Sequence, residues 1–258
     1  MDIRAHFHPD EHAFVDKAWD WVQRAAEQHA VKLVDFMDPR QAFILESLAH
    51  RHGDVALLMS GGFPQAERKR AVVAPDYRVP SEEDIPIGVL EITSDDAKLS
   101  ELDHGDYLGA LLGLGIKRDK VGDIHVLSDK CHCLVAGEII DYVHLHLHQA
   151  GRVRVMTEVL PLSRLETADV RIDEMTFTVA SLRLDGIVGD VYRLSRTKAL
   201  VPIKAGRCRV NWKPEEDPAK LLKSGDVVSL QGFGRFRVVD VEGATKSGRI
   251  RVKIGKYV

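Results

Sequence analysis

Cysteine is scarce, with three in 258 residues. Three thiols cannot all pair, and Cys131 and Cys133 stand too close for an ordinary disulfide staple, so all three are expected as reduced thiols. Aromatic residues make up only 6% of the chain. No apolar run reaches membrane-spanning length, which excludes a helical membrane span and predicts no membrane partner. The first residues, Met1 to His6, lack the pattern of a signal peptide, and the expectation is a cytoplasmic protein. Acidic residues outnumber basic ones only slightly, for a net charge of −3.

That near balance hides an asymmetry. Residues 181–258 hold 17 Lys+Arg against 8 Asp+Glu, a net of +9, whereas residues 1–180 hold 19 against 31, a net of −12. A compact basic region behind an acidic body fits a polyanion binder, although a solvated lysine-rich face would give the same count. The composition, 45% hydrophobic and 29% charged, is that of a globular chain long enough for two or three cores.

The residue pattern predicts an α+β protein of three small domains: 1–79, 80–165 and 181–258. In the first, an amphipathic helix over 10–29 places Phe14, Ala18, Trp21, Val22 and Ala25 on one face. A strand over 31–37 follows. Asp38 as N-cap and Pro39 at the first helical position start a second helix that Gly53 ends. Strands over 54–59 and 70–74 complete an α/β module. A Pro-rich acidic stretch, 75–86, reads as a linker. Beyond it the order is strand 87–92, helix 103–114, strands 123–127 and 131–136, helix 138–150 and strand 152–160. This is the β-α-β-β-α-β order of ferredoxin-like and RNA-recognition (RRM-like) domains. The central strands carry no Phe, Tyr or Trp, so the stacking surface of an RNA-recognition sheet is missing, and RNA contact would need another surface. Residues 165–174 read as a linker, and 175–179 as a strand leading into the third domain.

In that third domain, Leu184, Ile187 and Val188 give a short first helix its apolar face. Ser195 caps a second helix starting at Arg196. Ala199, Pro202 and Ile203 fall on one side of it, Thr197 and Lys204 opposite, with Arg196 and Lys198 at the borders. Gly206 ends it, and a strand begins at Arg207. Seven basic residues lie between Arg183 and Arg209, against Asp185 and Asp190. Such a helix pair can follow a phosphate backbone, because the arginine fork binds phosphate oxygens bidentately.

The run Arg183-Leu184-Asp185, Leu194-Ser195-Arg196, Ile203-Lys204-Ala205-Gly206 and Val210-Asn211 resembles the S4 RNA-binding domain. Gly225-Asp226 and Gly232-Phe233-Gly234-Arg235-Phe236 fit its later hairpin. Upstream, Phe36-Met37-Asp38-Pro39-Arg40, Ser60-Gly61-Gly62 with Glu67-Arg68-Lys69-Arg70, and the run from Asp106 to Asp123 are similar to the YlmH family. That resemblance covers essentially the whole chain. It implies an N-terminal α/β domain, a central RRM-like domain and a C-terminal S4 (αL) domain. It also implies binding to the large ribosomal subunit, at ribosomal RNA and tRNA or peptidyl-tRNA. With it comes a part in ribosome-associated quality control, where stalled nascent chains receive a C-terminal tail.

The residues expected to meet RNA are Arg183, Arg193, Ser195, Arg196, Lys198, Lys204, Arg207, Arg209 and Asn211. Arg183, Arg196, Lys198 and Lys204 are expected to form one patch. An exposed basic turn at Lys117, Arg118 and Lys120 is added, with Arg68-Lys69-Arg70 as a weaker patch. Pro202 replaces the aliphatic residue usual in the S4 pattern, and a kink or early end to the second helix is expected there.

Arg183-Leu184-Asp185 matches the catalytic tripeptide of pseudouridine synthases, but it sits inside the helix pair with no synthase-like domain beside it. Asp185 is therefore expected to be structural. Cys131-His132-Cys133 with His144, His146 and His148 invites a zinc reading. The two cysteines lie one residue apart where structural zinc sites use two to four, so cysteines packed under a helix with histidines outside are expected, without metal. His6, His8 and His12 read as a solvated terminus. Leu112-Gly113-Leu114-Gly115 follows a helix, so Gly115 is a helix cap and not a nucleotide loop. No cofactor and no catalytic group is expected. The alternative is an RNA-modifying enzyme, pseudouridine synthase-like or methyltransferase-like, that uses the basic domain for targeting.

Overall fold

The computed structural model describes residues 3–96, 99, 101–169, 172–244 and 248–257. The chain divides into two compact units, one built mainly from Glu11–Ala168 and the other from Asp169–Val258 with His6–Asp10. No helix among the described residues is long and apolar enough to cross a membrane.

The first unit begins with α1 (His12–Gln28), β1 (Lys32–Met37), α2 (Pro39–His52), β2 (Val55–Ser60) and β3 (Lys69–Pro75). The sheet order is β1-β3-β2, with β3 antiparallel to both neighbours. The face that α1 buries is Val15, Ala18, Val22 and Ala25; Phe14 and Trp21, expected on that face, are half-buried and meet edge-on at 5.9 Å. α2 starts as its sequence dictates. The Asp38 carboxylate accepts from Gln41 N–H at 2.8 Å, Gln41 Oε1 accepts from Asp38 N–H at 3.1 Å, and Pro39 needs no partner for a missing N–H. Gly53 closes it at φ 84°.

β4 (Ile87–Thr93), α3 (His104–Gly113), β5 (Val121–Val126), β6 (Cys131–Ala136), α4 (Ile140–His146) and β9 (Met156–Leu160) follow, in the antiparallel sheet order β5-β6-β4-β9. This is the ferredoxin-like arrangement that the element order predicts. The helix expected over 138–150 stops at His146, and the chain turns through a small hairpin, β7 (Gln149–Ala150) and β8 (Val153–Arg154). Val143, Leu147 and Ala150 have helical spacing and all three are buried, but Leu147 already has extended backbone. The same apolar spacing is satisfied by a hairpin tucked against the core.

β6 is buried at every position. Cys131, Cys133 and Val135 pack under the helices against Tyr107, Leu111, Ile140 and Val143. Leu134 faces the other way, in a cluster with Val89 and Leu160 that Phe63, Ile87 and Leu165 flank. His132 is fully buried between Glu91, at 3.0 Å, and the backbone N–H of Glu166, also at 3.0 Å. The central strands of the sheet surface that RNA-recognition domains present to RNA are thus covered in this protein, while Met156 and Glu158 of β9 stay exposed.

The second unit comprises β10 (Ile172–Val179), α5 (Leu184–Tyr192), α6 (Arg196–Lys204), β11 (Cys208–Val210), β12 (Lys213–Pro214), β13 (Val227–Leu230), β14 (Gly234–Ala244) and β15 (Ile250–Tyr257). Its six-stranded antiparallel sheet has the order β10-β15-β14-β13-β11-β12. The polar segment expected to be a linker over 165–174 is already an edge strand from Ile172, paired with β15 through Val179; residues 170 and 171 lie outside the described residues. Leu184, Ile187, Val188, Ala199 and Ile203 of the helix pair pack on Cys208, Val228, Leu230, Phe236, Val238 and Val252 of one sheet face.

Candidate nucleic-acid interface

Hydrogen bonds from the loop before β13 fix where α5 starts. Leu184 N–H donates to Lys220 O at 2.8 Å and Asp185 N–H to Pro218 O at 3.1 Å, so orphan donors of the first turn are met by backbone carbonyls. Asp185 is 1% exposed, and both of its oxygens are engaged. Oδ1 accepts from Gly186 N–H at 2.8 Å and Arg183 Nε at 3.0 Å; Oδ2 accepts from Arg183 Nη2 at 2.8 Å and from Arg196 Nε and Nη2 at 3.3 Å. The hydrogen bonds from Arg183, above all, hold its carboxyl below the usual range. This carboxylate ties the start of α5 to the start of α6 and orients two guanidinium groups, which is the structural role expected of it.

In α6 the Ser195 hydroxyl accepts from Lys198 N–H at 3.4 Å. Ala199, Pro202 and Ile203 are buried, which turns Arg196, Thr197, Lys198 and Lys204 outward. The helix does not end early at Pro202, for it runs on to Lys204. Pro202 sits in the last turn, and its carbonyl accepts from Arg207 N–H at 3.0 Å while Ala205 N–H closes on Val201 O at 3.1 Å. Arg193 ends α5 in the left-handed region at φ 54°. Arg193, Lys198, Lys204 and Arg207 are all exposed. No side-chain hydrogen bond or ion pair engages them among the described residues.

Two expected contacts are placed elsewhere. Arg209 alternates with the buried Cys208 and Val210, so it lies on the sheet face away from the helices and reaches Trp212 O at 3.4 Å. On that outer face it is in register with Ser229 and Arg235, and Arg235 lies 4.4 Å over the Tyr257 ring. Arg235 and Arg237 were not among the expected residues, although period-two alternation along 234–238 could have found them. Asn211 is committed to its own turn, with Nδ2 donating to Asp226 at 2.9 Å and Oδ1 accepting from Val227 N–H at 2.9 Å.

The basic turn of the first unit is corrected more sharply. Of its three cations only Lys117 is exposed. The Arg118 guanidinium donates to Val121 O and Gly122 O, and burial, followed by the charge of Arg68, pushes it down to about 10. Lys120 bridges Asp35 at 2.6 Å and Glu138 at 2.8 Å. Arg70, expected in a surface patch, is fully buried and donates to Glu138 at 2.8 and 2.9 Å and to Pro86 O at 2.6 Å. Arg68 donates to Val121 O and Phe36 O. These cations fasten the N-terminal module to the central one.

Among the described residues, no three His, Cys, Asp or Glu side chains gather as metal ligands would. His144 Nδ1 lies 3.0 Å from Thr157 Oγ1, which donates to His144 O at 3.0 Å; His146 and His148 are exposed. Of the terminal histidines, His6 is exposed while His8 and His12 are half-buried.

Comparison with known proteins matches residues 10–78 to the family model "YlmH, N-terminal" and residues 80–164 to "Putative RNA-binding domain in YlmH". The chain is 40% identical over 251 residues to ribosome-associated protein quality control protein P2 of Bacillus subtilis (strain 168), covering 97% of each chain. It also resembles the solved structure of cell division protein ylmH from Streptococcus pneumoniae, with a TM-score of 0.54 and 26% identity over 62% of this chain and 98% of that one. These matches define the class as a multi-domain α+β protein with an RNA-binding role. The chain belongs to the YlmH family.

Proposed function

We propose that this protein is a non-catalytic, cytoplasmic RNA-binding protein that docks on the large ribosomal subunit and serves ribosome-associated quality control of stalled nascent chains. In this reading the second unit is an S4-type domain. Its helix pair lies along a ribosomal RNA backbone and against tRNA or peptidyl-tRNA. The observation that carries the reading is the set of exposed cations on and after the helix pair with no side-chain partner among the described residues, Arg193, Lys198, Lys204 and Arg207, together with the Asp185-held Arg183 and Arg196. Cations left without carboxylates in a folded chain are available to phosphates, and each phosphate neutralised adds to affinity by counterion release. Arg183-Leu184-Asp185 does not favour the synthase alternative, because Asp185 is buried with both oxygens already accepting hydrogen bonds.

Co-sedimentation with separated ribosomal subunits, followed by cross-link mapping, tests this reading. The expected result is retention on the large subunit with cross-links from α5 and α6 to RNA. Retention on neither subunit, or cross-links confined to residues 11–168, would overturn it.

A further inference from the structure

The turn between β13 and β14 carries an aromatic side chain that phosphate binding does not use. Leu230 and Gly234 form the last pair of the hairpin, and Phe233 N–H donates to Leu230 O at 2.9 Å. Gly232 at φ 84° and Gly234 at φ 104° flank Phe233 with backbone that L side chains rarely adopt. Phe233 is 42% exposed. On its inner side its ring meets Tyr192, the last residue of α5, at 5.5 Å, and Tyr192 meets the fully buried Phe236 at 5.9 Å. Three rings therefore run from the core to the surface and hold the outermost one in place.

The surroundings are cationic. Lys256 Nζ lies 5.6 Å over the Tyr192 ring. Arg193 follows Tyr192 in the chain. Arg207 O accepts from Gln231 N–H at 3.0 Å, which places Arg207 at the base of the same turn. No acidic residue occurs from Gln231 to Val239.

We infer that Phe233 is a stacking platform for one unpaired RNA base, with Arg193, Arg207 and Lys256 meeting the phosphates on either side. The inference rests on the RNA-binding reading of the second unit and names the kind of nucleotide this part of it takes. An exposed ring backed by another ring offers a flat π-face, and nearby cations match a strand with one phosphate per base. Paired, stacked bases have both faces covered, so the occupant is a base outside a helix. Every base has such a face, so this site carries little sequence preference.

The test uses the full chain and compares its affinity for a single-stranded RNA oligomer with that for an RNA duplex of the same length, across a salt titration. Phe233→Ala and Phe233→Leu are expected to weaken single-strand binding by roughly 5- to 100-fold, the range of one lost stacking contact. Duplex binding and the salt slope should stay as in the wild type, because no charge is removed. Phe233→Trp should restore the single-strand affinity. Phe233→Leu keeps apolar bulk against Tyr192, so it separates stacking from folding. Wild-type single-strand affinity in the leucine variant, or an equal loss on the duplex, overturns the platform alone. A wild-type protein that binds neither RNA overturns the RNA reading and the platform with it.

Discussion

In the first unit the cations around the junction of its two modules turn inward, and in the second those around the helix pair turn outward. Arg68, Arg70, Arg118 and Lys120 end on backbone carbonyls or on Asp35 and Glu138, where they join two modules. Arg193, Lys198, Lys204 and Arg207 end in solvent. The local sequences look alike, since each is a short run of Arg and Lys near a turn. What differs is the supply of carboxylates: residues 1–180 carry an acidic excess and 181–258 a basic one. At these positions a cation beside carboxylates finds a partner and becomes structural, whereas one without them is left for an external polyanion.

The largest effect that would break this comparison lies at Arg70. Arg70→Met removes the buried partner of Glu138. The expected loss is about 2–3 kcal/mol of stability, near the low end for a broken buried pair because Glu138 keeps Lys120 and some water. Urea unfolding measures it, and RNA affinity of the folded protein should not change. A mutant that keeps its stability but loses RNA binding would place Arg70 at the interface instead. pH sharpens the point. Burial pushes Glu138 up, but hydrogen bonds from Lys120 and Arg70 outweigh it and hold the carboxyl down at about 2. A depressed carboxylate contributes stability that is full above its unfolded value of about 4.3 and is lost as pH falls through the folded one. Melting temperature should therefore drop between about pH 5 and pH 2, and the drop should be shallower in Arg70→Met.

A middle-sized effect is expected at Asp185. Asp185→Asn keeps the shape but removes the charge that orients Arg183 and Arg196, and about 1–3 kcal/mol should be lost because buried donors are left poorly matched. RNA affinity should fall severalfold with it, as the arginines lose their fixed directions. Unchanged affinity, measured on the folded fraction, would mean that those directions do not matter.

The smallest effect belongs to Lys253, which is paired with Glu174 at 2.8 Å near the edge of the sheet. Lys253→Ala should leave melting temperature and RNA affinity as they are. A clear loss of affinity would show that paired cations also bind RNA and would dissolve the contrast between the two units.

Much of the architecture was legible because its signals are local. The Asp38–Gln41 capping box, the Ser195 cap and the order of elements around β4 to β9 can be read from neighbouring residues. The errors came from distant partners. Arg70 looks like a surface residue in the sequence because Asp35 and Glu138 lie 35 and 68 positions away. The hairpin after His146 imitates a helix through the spacing of Val143, Leu147 and Ala150. β10 opens with Ile172-Asp173-Glu174, which reads as linker because an edge strand needs little apolar surface on its open side. Within the candidate site, the outward residues of α6 follow from helical period, and the exposure of Arg209 opposite Cys208 and Val210 follows from strand alternation. The Asn211 amide is taken up by Asp226 and Val227, a pairing that the sequence does not display.

The central claim is that the unpartnered cations of the second unit are what the protein presents to RNA. The most direct measurement is a salt titration of large-subunit binding by the full chain, comparing wild type with the double variant Lys198→Ala, Lys204→Ala. Each substitution should change stability by no more than about 0.5 kcal/mol. The account predicts weaker binding to all RNA sequences alike and a log–log salt slope flatter by about 1.4 to 1.8, the value of two phosphate contacts. A normally folded double variant that binds at wild-type affinity throughout the titration would contradict it.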